Sequence, residues 1–418
     1  MTRPALLLAA LLALSSPAAA QPEALADEAV AANSDLEAMR ARARALEARA
    51  EVAGAWPDPM LAVELSNLPV DSFDLSGHPM AGVQLRAQQT LKPPGWSPLQ
   101  REVGALRADA AGLSVDEAAL QLRAAVTRTW WLLTRTRLLR EVTEAHLART
   151  EELLRAARVR YETGGVGQHA VLRLTVLRDR LGDELGDFAR DERALTAALN
   201  EALARPPGQA VPTPAAVEPA PPPGSADWEA LARAHRPLVL RLGVEGDAAR
   251  SAAALARVDA RPDLTVWAGY RIRTVETATD PGTDLVAVGL GAPIPAGSLR
   301  RARGAEAAAQ EEARAAAQAL EAVINEIVAS VDAALARWGR AAEKTQTCDG
   351  VLIPGAQQTL DTTLADFAVG RADFASLFEA EVTLLDLERA RIVAAVETHL
   401  QQAEVTALLG VEPPGDPE

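Results

Sequence analysis

The chain has 418 residues and carries 42 lysine and arginine residues against 57 aspartate and glutamate residues, a formal net charge of −15. Nucleic-acid binding depends on an excess of positive charge, so this acidic balance excludes a nucleic-acid partner. Hydrophobic residues make up 49% of the chain but aromatic residues only 3%, which suits long, closely packed helices better than one large globular core.

The first twenty residues predict a signal peptide (1–20). Arg3 supplies a positive start, Ala5 to Leu14 form an apolar run, and Ala18-Ala19-Ala20 form a small-residue cleavage site. The apolar run is well short of the roughly 20 residues that a membrane-spanning helix needs, which favours export over a membrane anchor. No later stretch of the sequence resembles a spanning helix, so a chain that crosses a membrane would do so with strands closed into a barrel.

Residues 21–204 are predicted to form a first repeat with an N-terminal helix, a strand pair over about 60–91 and a helical hairpin over about 97–204. The predicted elements are, in chain order, a helix, two strands and two helices: Leu25 to Gly54, Met60 to Leu68, Met80 to Leu91, Ser97 to about Arg160, and Gln168 to Ala204. At ~1.5 Å per residue, the first helix of the hairpin would be on the order of 95 Å long, which exceeds any ordinary globular domain.

Residues 205–225 are rich in proline and alanine and are predicted to be a linker rather than a packed element. A second repeat, 226–412, follows with the same order of parts, and 413–418 form a short tail. The second repeat contains a helix, two strands within about 263–295 and a helical hairpin within about 298–410: Asp227 to Val258, Leu264 to Arg273, Asp284 to Ile294, Ser298 to about Asp366, and Ala372 to Leu409. Pro354 should kink or split the first helix of this hairpin.

Two pairs of short motifs relate the two halves of the chain. Tyr161-Glu162-Thr163-Gly164 and Phe367-Ala368-Val369-Gly370 lie 367 − 161 = 206 residues apart. Pro59-Met60-Leu61-Ala62-Val63 matches Pro262-Asp263-Leu264-Thr265-Val266 at 262 − 59 = 203 residues. A repeat of this length indicates a duplicated structural unit.

The number and pattern of the strands suggest a barrel made by several copies. One chain supplies four strands, which cannot close a barrel, whereas three copies would supply twelve, an even number that membrane barrels adopt. The strands alternate an apolar face with polar residues: Gln84, Arg86, Gln88, Arg271 and Arg273. These polar residues would face solvent in a soluble hairpin and a wet lumen in a barrel, and the signal peptide favours the lumen.

The signal peptide, the twofold order of strand pair and helical hairpin, and the paired Tyr-x-x-Gly and Phe-x-x-Gly turns resemble the TolC-type outer-membrane efflux protein family across essentially the whole mature chain. Three further motifs resemble the heavy-metal and drug efflux branch of this family: Pro57-Asp58-Pro59, Gln89 to Gly95, and Gly291 to Pro295. The chain departs from the family at Trp96, where a basic residue often follows the glycine.

The resemblance implies a mainly α fold with a β-barrel portion. It implies a homotrimer whose twelve-stranded barrel lies in outer-membrane lipid, on a twelve-helix tunnel that projects into the periplasm. Such a trimer would be the outer-membrane channel of a tripartite efflux system, passively conducting substrate from an inner-membrane pump and a periplasmic adaptor (membrane fusion protein) to the exterior. The alternative is a soluble periplasmic coiled-coil adaptor or another partner-binding protein, which the duplicated order of parts disfavours.

The resemblance also assigns contact with the adaptor to the tips of the two hairpins. The residues concerned are Gly164, Gly165, Val166, Gly167, Gly370, Arg371, Ala372 and Asp373. The glycines also have a conformational explanation, because a tight turn between two helices needs a residue that accepts a positive φ.

Family channels close through a ring of acidic residues on the helix after the second tip, which makes Glu379 the candidate pore gate. Glu379 lies nine residues after Gly370, whereas Ser376 stands where an aspartate is familiar. Threefold symmetry would bring three Glu379 carboxylates together, and their mutual repulsion would favour cations in the pore. The alternative is an ordinary solvated acid on a helix face.

No pattern in the sequence indicates a metal, a cofactor or catalysis. The five histidines show no i, i+4 pairing: His78, His146, His169, His235 and His399. The single cysteine, Cys348, is no metal site by itself. The sequence also lacks a glycine-rich phosphate loop, a nucleophile elbow and a carboxylate pair at catalytic spacing. We therefore expect no metal, no cofactor and no enzyme activity.

Overall fold

A computed structural model describes residues 22–76, 78–273, 281–294 and 297–414. The predicted signal peptide, Pro295 of the last strand-exit motif and residues 415–418 of the predicted tail lie outside the described residues. Contacts between residues divide the chain into two compact units. The helical unit takes residues up to 37, 117–236 and 325 onward, and the sheet unit takes 38–116 and 237–324. Each unit draws on both predicted repeats, whose boundaries stay a prediction.

The fold is mainly helical, as predicted. Its elements in chain order are α1 (Pro22–Ala32), α2 (Ser34–Ala53), β1 (Met60–Ser66), β2 (Gly82–Leu91), α3 (Trp96–Glu162), α4 (Gln168–Ala202), α5 (Trp228–His235), α6 (Pro237–Asp259), β3 (Leu264–Arg273), β4 (Leu285–Gly291), α7 (Ser298–Thr347), a π-helical turn (Cys348–Leu352), α8 (Ile353–Ala368) and α9 (Phe374–Leu409).

The helix predicted at the start of each repeat is two helices, so both predictions of a continuous helix were wrong. The first breaks at Asn33, whose Oδ1 accepts a hydrogen bond of 2.8 Å from the backbone N–H of Leu36 and thereby begins α2. The second breaks at Arg236, because Pro237 disfavours helical backbone in the residue before it.

Pro354 disrupts the long helix of the second hairpin, as predicted, but the disruption lies just before the proline. Proline has no backbone N–H, so the helical bond to the Gly350 carbonyl cannot form. The backbone widens into the π-helical turn Cys348–Leu352 and returns to α-helix at Ile353. A widened turn of this kind admits the proline without ending the helix.

The four strands form one antiparallel sheet in the order β1-β2-β3-β4. Because side chains alternate along each strand, the observed register gathers apolar residues of all four strands on one face, with Gln89 near its end. These apolar residues are Leu61, Val63, Leu65, Val83, Leu85, Ala87, Val266, Ala268, Tyr270, Ile272, Val286, Val288 and Leu290. The face is open in the single chain, where Leu61 is 78% exposed and Val288 is 77% exposed.

The opposite face of the sheet is polar, and it carries the residues that the sequence predicted there. Arg271 Nη2 donates to Gln84 Oε1 at 2.8 Å. The Arg86 guanidinium lies over the Trp267 ring, 4.7 Å from its centroid. The predicted alternation of apolar and polar faces is therefore confirmed, although β1 ends at Ser66, two residues earlier than expected.

The proline-rich segment 205–225 forms neither helix nor strand, but the prediction that it is not packed was wrong. Val211 in this segment is 1% exposed. Trp130 Nε1 donates to the Pro212 carbonyl at 3.0 Å, and Trp338 Nε1 donates to the Ala220 carbonyl at 2.9 Å. Backbone carbonyls of this segment thus accept hydrogen bonds from side chains of the helical unit and hold the segment against it.

The largest part of the core of the helical unit lies among α3, α4, α8 and α9. It contains the buried residues Leu153, Leu154, Ala157, Ala170, Leu174, Leu360, Phe367, Phe374, Leu377, Ala380 and Leu384. None of the helices in the described part of the chain is both long and apolar enough to cross a membrane.

We predict that Gly289→Ala destabilises the sheet. A Cβ at this position would lie 2.4 Å from the Trp267 indole, which is held under Arg86. Overpacking of this kind lowers the free energy of unfolding by about 1–3 kcal/mol. Gly291→Ala is the matched control, because the nearest atom to its Cβ, the Thr265 carbonyl oxygen, is 3.9 Å away. Thermal denaturation followed by circular dichroism should separate the two variants, and equal midpoints would refute the prediction.

Candidate functional site

The tip of the first hairpin, between α3 and α4, is a glycine-ended Schellman turn. Gly164 has φ +76°. Its N–H donates to the Tyr161 carbonyl at 3.0 Å, and the Gly165 N–H donates to the Arg160 carbonyl at 2.7 Å. Gly167 then precedes α4 with extended backbone. The conformational reason for glycine is thus confirmed at position 164, where a residue with a side chain would be strained.

The tip of the second hairpin, between α8 and α9, repeats this turn. Gly370 has φ +79°. Its N–H donates to the Phe367 carbonyl at 3.1 Å, and the Arg371 N–H donates to the Asp366 carbonyl at 2.8 Å. Each of these residues lies 206 positions after its counterpart in the first tip. The two tips therefore share one backbone conformation.

Asp373 begins α9 by a side-chain cap that Gly167 cannot supply in the first tip. Asp373 Oδ1 accepts a hydrogen bond of 2.8 Å from the Ser376 backbone N–H. Hydrogen bonds from the side chain and the backbone of Ser376 lower the pKa of the Asp373 carboxyl below its ordinary value. The cap gives Asp373 a structural role in addition to the partner contact that the sequence predicted for it.

Arg160 joins the two tips. Its Nη1 donates to the Phe367 carbonyl, and its guanidinium lies over the Phe367 ring, 4.5 Å from the centroid. Phe367 is 5% exposed, whereas its counterpart Tyr161 is 46% exposed. The tips therefore lie side by side with different aromatic surroundings, which the sequence motif alone did not indicate.

The predicted contact residues divide into two groups by exposure. Six are exposed in the chain: Gly164, Gly165, Gly167, Gly370, Arg371 and Asp373. Val166 and Ala372 are only partly exposed and pack against the hydrophobic cluster of the helical unit. The first group leaves backbone and charge open to solvent in the single chain, while the second group holds the tips onto the core.

Glu379, the predicted gate residue, is exposed on α9. Leu377, two residues before it, and Glu381, two residues after it, are buried and each 1% exposed. Glu379 therefore lies on the solvent-exposed side of α9 in the single chain. Its gating role stays a prediction.

A buried polar cluster between α3 and α9 was missed by the sequence analysis. His146 is 1% exposed. Its Nδ1 lies 2.7 Å from Glu381 Oε1 and its Nε2 lies 2.8 Å from Glu388 Oε2. The two glutamates follow the histidine by 235 and 242 residues, so no local spacing could reveal them. The signal that the sequence offers is a single histidine, His146, within the long helix α3.

Arg149 extends this cluster, and a second group of polar side chains around Arg389 lies close to it in the sequence. Arg149 Nη1 donates to Glu381 Oε2 at 3.4 Å. Arg389 Nη2 donates to Thr143 Oγ1 at 2.8 Å and to Glu184 Oε2 at 2.5 Å. The His146 cluster thereby connects α3 with α9, and the Arg389 group connects α3, α4 and α9 within the helical unit.

The protonation of His146 reflects two opposing effects. Burial disfavours the charged imidazolium and lowers its pKa. Hydrogen bonds and charge interactions with Glu381 and Glu388 favour the imidazolium and outweigh burial, so the pKa of His146 is raised above its ordinary value. The described residues contain no group of three or more His, Cys, Asp or Glu side chains arranged to hold a metal ion.

We predict that Gly370→Ala destabilises the second tip. A residue with a Cβ pays about 1–2 kcal/mol for left-handed backbone, and this Cβ would lie 3.4 Å from Arg160 Nη2. Gly339→Ala in α7 is the control, because its Cβ meets nothing within 4 Å and alanine favours helix. Thermal denaturation should show a lower midpoint for Gly370→Ala alone, and a midpoint equal to that of the unsubstituted chain would contradict the strain.

Comparison with known proteins gives a family match for the second half of the chain and a fold match for nearly all of it. Residues 228–411 match the family described as Outer membrane efflux protein. The outer membrane protein VceC of Vibrio cholerae is similar in structure, with a TM-score of 0.77 and 16% identity over 94% of this chain and 97% of that chain. The open-state MtrE channel of Neisseria gonorrhoeae has a TM-score of 0.73 and 16% identity, over 95% and 90% of the two chains.

The Campylobacter jejuni channel CmeC has a TM-score of 0.74 and 13% identity, over 94% of this chain and 86% of that chain. No curated protein sequence matches the chain. The family match and the shared fold confirm the resemblance that the sequence indicated, and they do not support the soluble periplasmic alternative. The second half of the chain, residues 228–411, thus matches the Outer membrane efflux protein family, and nearly the whole chain shares the fold of solved outer-membrane channels.

Proposed function

We propose that three copies of this chain form one channel, a twelve-stranded barrel in outer-membrane lipid on a twelve-helix tunnel in the periplasm, which passively conducts substrate to the exterior. The observation that carries the proposal is the division of the four-stranded sheet into an open apolar face and a polar face with Arg86 and Arg271. Lipid would cover the first face, and the second would line a wet lumen.

The edges of the sheet support assembly by several copies. In the described sheet, β1 and β4 are the outer strands. Within lipid, the free N–H and C=O groups of an outer strand need a partner, since no water is available to them. Pairing of β4 in one copy with β1 in the next would satisfy these groups, and three copies would close the ring.

The matching tips support the proposal that the two repeats arose by duplication and face the same partner. Both tips have the same hydrogen-bonded turn and expose backbone at Gly164 and Gly370. Small residues at an exposed turn allow a helix of another protein to approach closely. We assign the exposed tip residues to contact with the periplasmic adaptor, which links the channel to the inner-membrane pump.

We propose in addition that Glu379 forms the acidic ring that narrows the pore. It is the exposed acid of α9 nearest to the second tip. Three carboxylates at the threefold axis would attract cations and repel anions. The resemblance to the heavy-metal and drug efflux branch stays a prediction from the strand motifs.

A pair of adjacent substitutions tests the lipid-facing assignment. Val288 lies on the apolar face of β4, and Ala287 lies on the opposite face. Val288→Arg should cost about 2–4 kcal/mol per copy if the apolar face meets lipid, whereas Ala287→Arg would place its charge in the lumen. We expect the first variant to be depleted from purified outer membranes and from native trimers, and the second to be recovered.

Recovery of both variants in the soluble fraction, or equal recovery of both in the membrane, would refute the barrel. The unsubstituted chain serves as reference, and immunoblots of outer-membrane fractions with native electrophoresis give the readout. The same samples report whether the assembly contains three copies.

Glu379→Gln tests the proposed gate. Removing three carboxylates from a pore axis should lower the preference for cations severalfold, measured as a reversal potential in planar bilayers under a salt gradient. Asp361→Asn, an exposed acid on α8, removes the same charge and serves as control. An unchanged reversal potential for Glu379→Gln would remove Glu379 from the pore.

A further inference from the structure

The position of His146 between two carboxylates determines its charge. Carboxylate oxygens only accept hydrogen bonds, while a neutral imidazole has one donor and one acceptor nitrogen. Nδ1 and Nε2 both lie within hydrogen-bond distance of a carboxylate oxygen, at 2.7 and 2.8 Å. With Glu381 and Glu388 ionised, both contacts are favourable only when His146 carries a proton on each nitrogen.

The charges around His146 support the same state. The groups joined to His146 by contacts are the carboxylates of Glu381 and Glu388 on α9 and, through Glu381, the guanidinium group of Arg149 on α3. Glu184 on α4 is paired separately, with Arg389 and with the exposed Arg180. One positive against two negative charges gives 1 − 2 = −1. An imidazolium at position 146 brings the cluster to zero. Neutral His146 would leave one uncompensated negative charge, which is costly in a buried position.

We propose that His146 is a pH-sensitive positioning residue for α9, the helix that carries Glu379. As imidazolium it holds α9 against α3 through Glu381 and Glu388, a contact that we call the clamp, and its deprotonation weakens this contact. The proposal rests on the proposed role of Glu379 as the gate. Glu379 lies two residues before Glu381 on α9, so a clamp on Glu381 and Glu388 also restrains the segment that carries Glu379. Loss of the proton leaves an acceptor nitrogen facing a carboxylate, which repels it.

The direction of the pH dependence follows from the folded environment, which raises the pKa of His146 above its ordinary value of 6.5. A raised pKa means that the clamp contributes its full stability below about pH 6.5 and loses it as the pH rises through the higher folded value. The channel should accordingly be most stable and most restricted on the acidic side of this range. Conductance should increase as the pH rises.

The first experiment measures the thermal midpoint of the detergent-purified, full-length protein from about pH 5.5 to about pH 9. His146→Gln keeps one donor and one acceptor and resembles the neutral state. We expect its midpoint to lie roughly 3–6 °C below that of the unsubstituted protein at the acidic end, with the difference vanishing at the basic end. His169→Gln, at an exposed histidine of α4, is the control and should follow the unsubstituted protein throughout.

A second variant tests the clamp from the other side without removing the buried histidine. In Glu388→Gln, the amide can donate to a neutral ring nitrogen, so both nitrogens of His146 are satisfied without the extra proton. Glu388 is 28% exposed, which makes this change easier to accommodate than one at Glu381. The fall of the thermal midpoint with rising pH should move to lower pH or disappear in this variant. If this fall occurs at the same pH in Glu388→Gln and in His146→Gln as in the unsubstituted protein, the clamp is refuted.

Planar-bilayer recordings then connect the clamp to the pore. Conductance of the unsubstituted protein should rise between about pH 6 and about pH 8.5, and His146→Gln should conduct at the higher level throughout. If no preparation conducts, the proposed channel fails. If all conduct and His146→Gln retains the pH step of the unsubstituted protein, the channel stands and the role of His146 is refuted.

Discussion

The alternation of side chains along four antiparallel strands is the constraint on which the function of this protein depends. The register aligns apolar residues from Leu61 on β1 to Val288 on β4 on one face, and arginines with tryptophan on the other. A shift of one residue in any strand would mix the two faces. Glycines such as Gly289 maintain this arrangement, because they leave room for the Trp267 ring on the polar face.

The helical unit is organised by different means. Its helices pack through small and branched residues, and its hairpin tips are closed by backbone hydrogen bonds at two glycines with left-handed conformation. Arg160 then ties one tip to the other through the Phe367 carbonyl and ring. The tips are thus fixed by backbone geometry, by the packing of Val166 and Ala372 and by the Arg160 contact, while their glycines stay exposed in the single chain.

Charge inside the helical unit is placed where the helices meet. Replacing a buried ion pair by uncharged side chains of similar volume often costs no stability, so packing alone does not require charge here. The cluster at His146 differs from the exposed salt bridges of α4, because each of its members depends on a partner from another helix. Such a group links the position of α9 to the protonation of one residue, and it lies close in sequence to the acid proposed as the gate.

The four strands, the helices of the two hairpins, the two faces of the strands, the turns at Gly164 and Gly370 and the disturbance at Pro354 could all be predicted from the sequence, whereas the breaks at Asn33 and Arg236 were not predicted. The predicted features follow from periodicity, turn chemistry or the missing N–H of proline, which act over a few residues. The tertiary structure alone decided the packing of segment 205–225, the bond from Arg160 to the other tip and the enclosure of His146. Each of these depends on groups distant in the chain, whose distances and burial no local pattern contains.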